Sequence, residues 1–118
     1  MEEAKQYEWH KIAESEADIG FSANGLAELE VVGKKVCIAR YEQNLRACAH
    51  QCPHAGAKLH QGYLDPQGNI VCPLHRYKFS LKNGLNISGE GYFLKTHPLE
   101  IREEGVFIGF IKNKGFSF

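Results

Sequence analysis

Long apolar runs are missing from this chain of 118 residues; the longest, Val106 to Ile111, is the length of a strand. A membrane-spanning helix needs about 20 such residues, so no such span is expected. An excess of one charge is missing too, since 14 basic residues face 14 acidic ones. That excludes a strongly basic nucleic-acid surface. The opening residues, Met1-Glu2-Glu3-Ala4-Lys5, are acidic and contain no apolar segment of the kind a secretory signal requires. We therefore expect a cytoplasmic protein. Repeats, low-complexity stretches and long helical periodicities are absent, as are a serine-histidine-acid set, a phosphate-binding loop and a convincing pair of catalytic carboxylates. Catalysis by the chain alone is not expected. At this length there is room for one domain and one fold-scale core.

What the chain does have is a set of metal-ligand types at short spacing. Cys52-Pro53-His54 and Cys72-Pro73-Leu74-His75 lie seventeen residues apart. A Cys-x-His pair lets one loop present a thiolate and an imidazole to different metal atoms, and Cys-x-x-His does the same from a second loop. Two sulfurs and two imidazoles suit a tetrahedral zinc, or a 2Fe–2S cluster with the cysteines on one iron and the histidines on the other. Residue types alone leave both open, although the Cys-x-x-Cys pairs common in zinc ribbons do not occur. Cys48-Ala49-His50 offers a competing Cys-x-His register. Using it would lengthen the spacer to Cys72 to twenty-one residues.

The remaining pattern is that of short strands. Tyr7–Ala13 alternates loosely and reads as a first strand; Glu14–Asn24 is polar and reads as a loop. Leu26–Val32 and Lys35–Tyr41 form a hairpin about Gly33-Lys34. After a turn at Glu42-Gln43-Asn44, Leu45–His50 leads into the first ligand loop. Tyr63-Leu64 and Ile70-Val71 flank the turn residues Asp65–Asn69 and deliver Cys72. Tyr77–Leu81 and Leu85–Ile87 flank Asn83-Gly84, Tyr92–Lys95 leads out, and Pro98–Arg102 and Val106–Ile111 close the sheet. A meander of antiparallel strands, all-β, follows.

The run Cys52-Pro53-His54-Ala55-Gly56-Ala57-Lys58-Leu59, then Gly62, Cys72-Pro73-Leu74-His75 and Phe79, resembles the Rieske and Rieske-type ferredoxin family. The resemblance implies an antiparallel β-sandwich base domain (about 1–50 and 93–118) with an inserted cluster-binding subdomain (about 51–92), in a single Rieske domain over 1–118. It implies a 2Fe–2S cluster, with Cys52 and Cys72 on the inner iron and His54 and His75 on the outer one. It also implies a carrier of single electrons from a flavin-dependent reductase to a terminal oxygenase. Two other readings stay open. One is a small subunit bound to the large subunit of a nitrite-reductase-like complex, and the other is a structural zinc module.

Where high-potential Rieske proteins have an extra cysteine on each loop, this chain has Ala57 and Leu74. Where they have a hydroxyl-bearing serine and tyrosine, it has Tyr77 and Phe79. Gly56 and Gly62 are expected to permit a tight path in the first loop, and Leu59, Leu74 and Phe79 to shield the cluster. Cys37 and Cys48 are expected to be buried thiols, and His10, His60 and His97 to be packing residues. Charge is uneven along the chain. Residues 1–18 carry six acids against two bases, while Lys58, Arg76, Lys78, Lys82 and Lys95 face only Asp65 and Glu90 in the ligand-loop half. Such a positive rim serves solubility, or docking of an acidic partner.

Overall fold

The computed structural model describes residues 6–54, 56–89 and 91–112. The N-terminal acids Glu2 and Glu3, loop residue Ala55 and the rim acid Glu90 lie outside these. Among the described residues, ten strands make three antiparallel sheets. The first joins β1 (Tyr7–Ala13), β10 (Gly105–Ile111) and β9 (Leu99–Arg102) in the order β1-β10-β9. The second joins β2 (Leu26–Val31), β3 (Lys34–Tyr41), β4 (Asn44–Ala49) and β8 (Thr96–His97), and the third joins β5 (Tyr63–Leu64), β6 (Asn69–Val71) and β7 (Lys78–Ser80), each in that order. Thus β10 is the middle of its sheet, paired to β1 on one side and β9 on the other.

The second sheet explains the apolar run on β3. Val36 and Ile38 face one core with Ala47, Val106, Ile108 and Phe110; Cys37 and Ala39 face another with Leu26, Cys48, Leu59, Ile70 and Phe79. A strand covered on both faces cannot alternate apolar with polar, so Val36-Cys37-Ile38-Ala39 is continuous. Each large side chain buried this way contributes about 1.5–3 kcal/mol. Cys37 and Cys48 are buried, as the sequence suggested, and stand directly opposed in register.

One turn differs from expectation. The β2–β3 hairpin turns at Val32-Gly33, one residue earlier than read, because Val31 pairs with Lys34. Both turn residues are left-handed, Val32 at φ 42° and Gly33 at φ 82°, the geometry a tight hairpin demands. Its preference for Asn or Gly is overridden, and a β-branched residue stands there under strain. After the Asn83-Gly84 turn, Leu85–Ile87 runs back along β7 in a short antiparallel pairing: Asn86 bridges to Phe79, the Ser80 N–H donates to the Leu85 carbonyl (2.9 Å) and the Ile87 N–H to the Lys78 carbonyl (2.8 Å). Leu85 also bridges to Phe93, and the Leu94 N–H donates to the Gly84 carbonyl (2.9 Å). The polar stretch read as a loop holds one 3-10 turn, Glu16–Asp18.

His97 on β8 packs edge-on against Phe110, ring centroids 5.0 Å apart. Burial of the ring, with Lys95 and Lys34 nearby, lowers its pKa from 6.5 to about 4. The unfolded chain therefore takes up a proton first. Stability is complete above about pH 6.5 and falls as the pH drops towards 4, by on the order of 1–2 kcal/mol after screening of a half-buried ring. Denaturant unfolding at pH 7 and pH 4.5 should show this loss, and a His97→Gln variant should lack it. An equal loss in the variant would place the titration elsewhere.

Candidate metal centre

The two ligand loops are built by one device. In the first, the Cys52 N–H donates to the Ala57 carbonyl (2.8 Å) and the Gly56 N–H donates back to the Cys52 carbonyl (2.9 Å). In the second, the Cys72 N–H donates to the Tyr77 carbonyl (2.9 Å) and the Arg76 N–H to the Cys72 carbonyl (3.0 Å). Each loop closes on its cysteine, and in each the fourth residue after that cysteine is left-handed. That residue is Gly56 at φ 75° in one and Arg76 at φ 61° in the other. Glycine takes this conformation freely, whereas arginine is held in it at a cost of order 1 kcal/mol. The equivalence of Gly56 and Arg76 is not legible in sequence, because the histidines sit two and three residues after their cysteines.

The loops are anchored from both sides. Gln51 bridges to Lys58, and the Leu59 N–H donates to the His50 carbonyl (2.8 Å). Asn24, from the polar loop before β2, donates through its side chain to the carbonyls of His60 and Gly62, both at 3.0 Å. Nothing in the local pattern around Asn24 signals that role. Before Cys72, the buried Asp65 carboxylate accepts from the Gln67 and Asn69 N–H groups at 2.9 Å and fixes the β5–β6 turn. Burial pushes the Asp65 pKa up, but the bonds from Asn69 and Gln67 and the Lys78 ammonium outweigh it, so the net shift is downward. Lys78 lies 3.7 Å from that carboxylate, which removes it from the expected free positive rim. Lys58, Arg76 and Lys82 are exposed.

Cys52 and Cys72 are buried in one core with Leu59 and Phe79, and among the described residues no disulfide forms. Leu74, expected as a shield, is instead 54% exposed. The Leu74 N–H points at Cys72 Sγ, 3.5 Å away. His54 and His75 come together from the two loops, Nδ1 to Nδ1 at 3.3 Å. His75 is exposed and His54 half-buried. Tyr77 stacks on the His54 ring with centroids 4.1 Å apart, and Tyr92 lies at 5.2 Å. The role of Tyr92 went unnoticed in the sequence, where it reads as a connector. His60 turns away from the loops, with Nδ1 3.8 Å from Glu28 of β2.

This donor set fits a two-iron cluster. Metal–imidazole bonds are about 2.1 Å, so nitrogens 3.3 Å apart subtend about 104° at a shared metal, close to tetrahedral. Among the described residues no three His, Cys, Asp or Glu side chains gather about one ion position. The two imidazoles face each other at the surface, and Cys52 and Cys72 lie buried in the core behind them, a donor set that suits two metals with two ligands each.

Residues 8–91 match the sequence profile of the Rieske [2Fe-2S] domain, and the chain belongs to that family. Its cofactor is a 2Fe–2S cluster. Among relatives, the ferredoxin component of an alkene monooxygenase system from Xanthobacter autotrophicus is 29% identical over 75 residues, covering 64% of this chain and 62% of that one. A 3-phenylpropionate/cinnamic acid dioxygenase ferredoxin subunit from Escherichia coli is 32% identical over 59 residues, 49% of this chain and 56% of that one. The matched stretch thus spans less than two thirds of either relative. Among solved structures, a chain assigned as the small subunit of an NADH-dependent nitrite reductase from Mycobacterium tuberculosis superposes with a TM-score of 0.77 at 16% identity, covering 92% of this chain and 99% of that one. The ferredoxin of carbazole 1,9a-dioxygenase from Nocardioides aromaticivorans gives 0.66 at 20% identity, covering 75% and 86%. At such identities the likeness is one of fold.

Proposed function

We propose that the chain is a one-electron carrier, passing electrons from a flavin-dependent reductase to an oxygenase-type acceptor. Cys52 and Cys72 hold one iron and His54 and His75 the other. The observation that carries this reading is the pair of imidazole Nδ1 atoms 3.3 Å apart at the surface, together with two buried cysteines in a single core. Relatives that serve as ferredoxins of monooxygenase and dioxygenase systems support the oxygenase-type acceptor. Under this reading about residues 51–92 hold the cluster and about 1–50 with 93–118 form the base. The chain leaves the second sheet after β4 and rejoins it at β8, which supports that division. It works in the cytoplasm and catalyses no reaction of its own. No helix among the described residues is long and apolar enough to cross a membrane.

When bound, the cluster supplies a single-electron couple. The chain's own residues set its environment. Neutral imidazoles in place of two thiolates reduce the local negative charge and so disfavour an added electron less. The Leu74 N–H stabilises negative charge on Cys72 Sγ. Tyr77 and Tyr92 hold the His54 ring in place, and Leu59 and Phe79 keep water from the cysteine side.

Iron analysis and low-temperature EPR of anaerobically purified protein test the reading. About two irons per chain, and a dithionite-reduced signal with average g below the free-electron value, are expected; zinc, or iron with no such signal, would sink it. Phe79 has no hydroxyl to donate to the cluster. The midpoint potential is therefore expected near the lower end of the roughly −150 to +300 mV span of such centres. Protein-film voltammetry giving a value well above zero would show that other donors reach it.

A further inference from the structure

Beside the first ligand loop lies a cleft of about 540 Å³, floored by Val36, Ala49 and Leu94 and reaching Cys52 and Pro53. Its charged lining is all basic: Lys34 and Lys35 at the start of β3, and Lys95 just before β8. The three lysines are exposed, and among the described residues none is in an ion pair. Lys35 has Glu30 across the hairpin, but Glu30 opens onto a different groove beside Lys11. Lys34 is steadied by the Phe110 ring, 5.0 Å from its ammonium. Phe93, 60% exposed, adds an apolar edge.

We propose that this cleft is the docking site for a carboxylate-rich segment of the redox partner. Three unpaired ammonium groups around an apolar floor, on the wall that carries Cys52, attract acidic side chains and hold a partner next to the cluster loop. Charge complementarity of this kind acts first on the rate of encounter. A partner segment fits better than a small anion because the cleft is open and pairs its lysines with an apolar floor and the exposed Phe93 edge. His97 lines the same cleft, and its pKa is lowered first by burial and then by the charges of Lys95 and Lys34. The basic surface is thus assembled from segments before and after the ligand loops. Sequence reading placed it between residues 52 and 95 alone, since Lys34 and Lys35 are remote from the ligands until β3 and β8 flank β4.

The inference rests on the carrier reading, and one experiment separates the two. Holoprotein, its iron content verified, is titrated with hexaglutamate peptide and separately with inorganic phosphate, followed by amide and histidine NMR. Expected are peptide-dependent shifts centred on Lys34, Lys35 and Lys95 and an upward move of the His97 pKa. A Lys34→Gln/Lys95→Gln variant, altered only at exposed positions, should bind about ten-fold more weakly, as loss of two exposed ion pairs implies. Peptide shifts centred on Lys58, Arg76 and Lys82, no saturable binding, or phosphate binding as tight as the peptide's would each overturn the docking proposal. Protein that carries no iron fails the carrier reading itself.

Discussion

Cys52→Ser is expected to emerge from purification almost free of iron, without the reduced EPR signal, while Cys48→Ser keeps both. The pair of variants decides between the two Cys-x-His registers, and the structure says why they differ. Cys48 lies inside β4, with Cys37 opposite on β3 and Thr96 opposite on β8. Its backbone is pinned on both sides, so its sulfur cannot swing to the ligand loops. The hydrogen bond with Cys37, then burial, then the neighbouring Cys37 charge push the Cys48 thiol well above its usual pKa. A thiol kept protonated is a poor iron ligand. Cys52 instead heads a loop closed by its own N–H and carbonyl.

Serine is a weak substitute for a thiolate at iron. Loss of affinity should exceed the roughly 10–100-fold that follows loss of an outer-shell partner. Cys48→Ser buries a hydroxyl among apolar neighbours and should cost about 1–2 kcal/mol of stability without touching the cluster. Iron analysis and EPR on both proteins give the answer. Retention of the signal in Cys52→Ser with its loss in Cys48→Ser would transfer the first ligand pair to Cys48 and His50.

Strand positions were legible because each carries its own local signal. β1 and the Tyr63-Leu64 and Ile70-Val71 hairpin fall where alternation and turn residues put them. The ligand loops were legible because cysteine and histidine at fixed spacing are rare. What escaped depends on contacts distant in sequence. Asn24 reaches the carbonyls of His60 and Gly62 across the fold, and Tyr92 meets His54 only after the chain has turned at Gly84. The early turn at Val32-Gly33 escaped for another reason. Pairing of β2 with β3 sets the register there, and it prevails over the turn preference of valine.

Gly62→Ala is expected to be severely damaging for a change of a single methyl group. The backbone at Gly62 is not left-handed, with φ −88° and ψ −142°, so conformational freedom is not what the glycine supplies. Space is. A Cβ there would sit 2.0 Å from the Val71 carbonyl oxygen and 3.2 Å from Pro73 Cδ. Both are backbone or ring atoms that no rotamer change can move. The first loop and the strand that delivers Cys72 thus approach closely at this residue, and a methyl group must push them apart. A cost of about 3 kcal/mol follows from overpacking of this severity, lowering Tm by roughly 10 °C in a domain of this size. Gly56→Ala is the control. There the φ of 75° is unfavourable, but the nearest atom is the end of the Gln51 side chain at 3.9 Å, so about 1 kcal/mol is expected. Because Val71 precedes Cys72, Gly62→Ala should also bleach its visible absorption sooner on warming than its far-UV signal melts. If Gly62→Ala instead unfolds within about 0.5 kcal/mol of the parent, the loops are not held together by this approach and are not coupled through it.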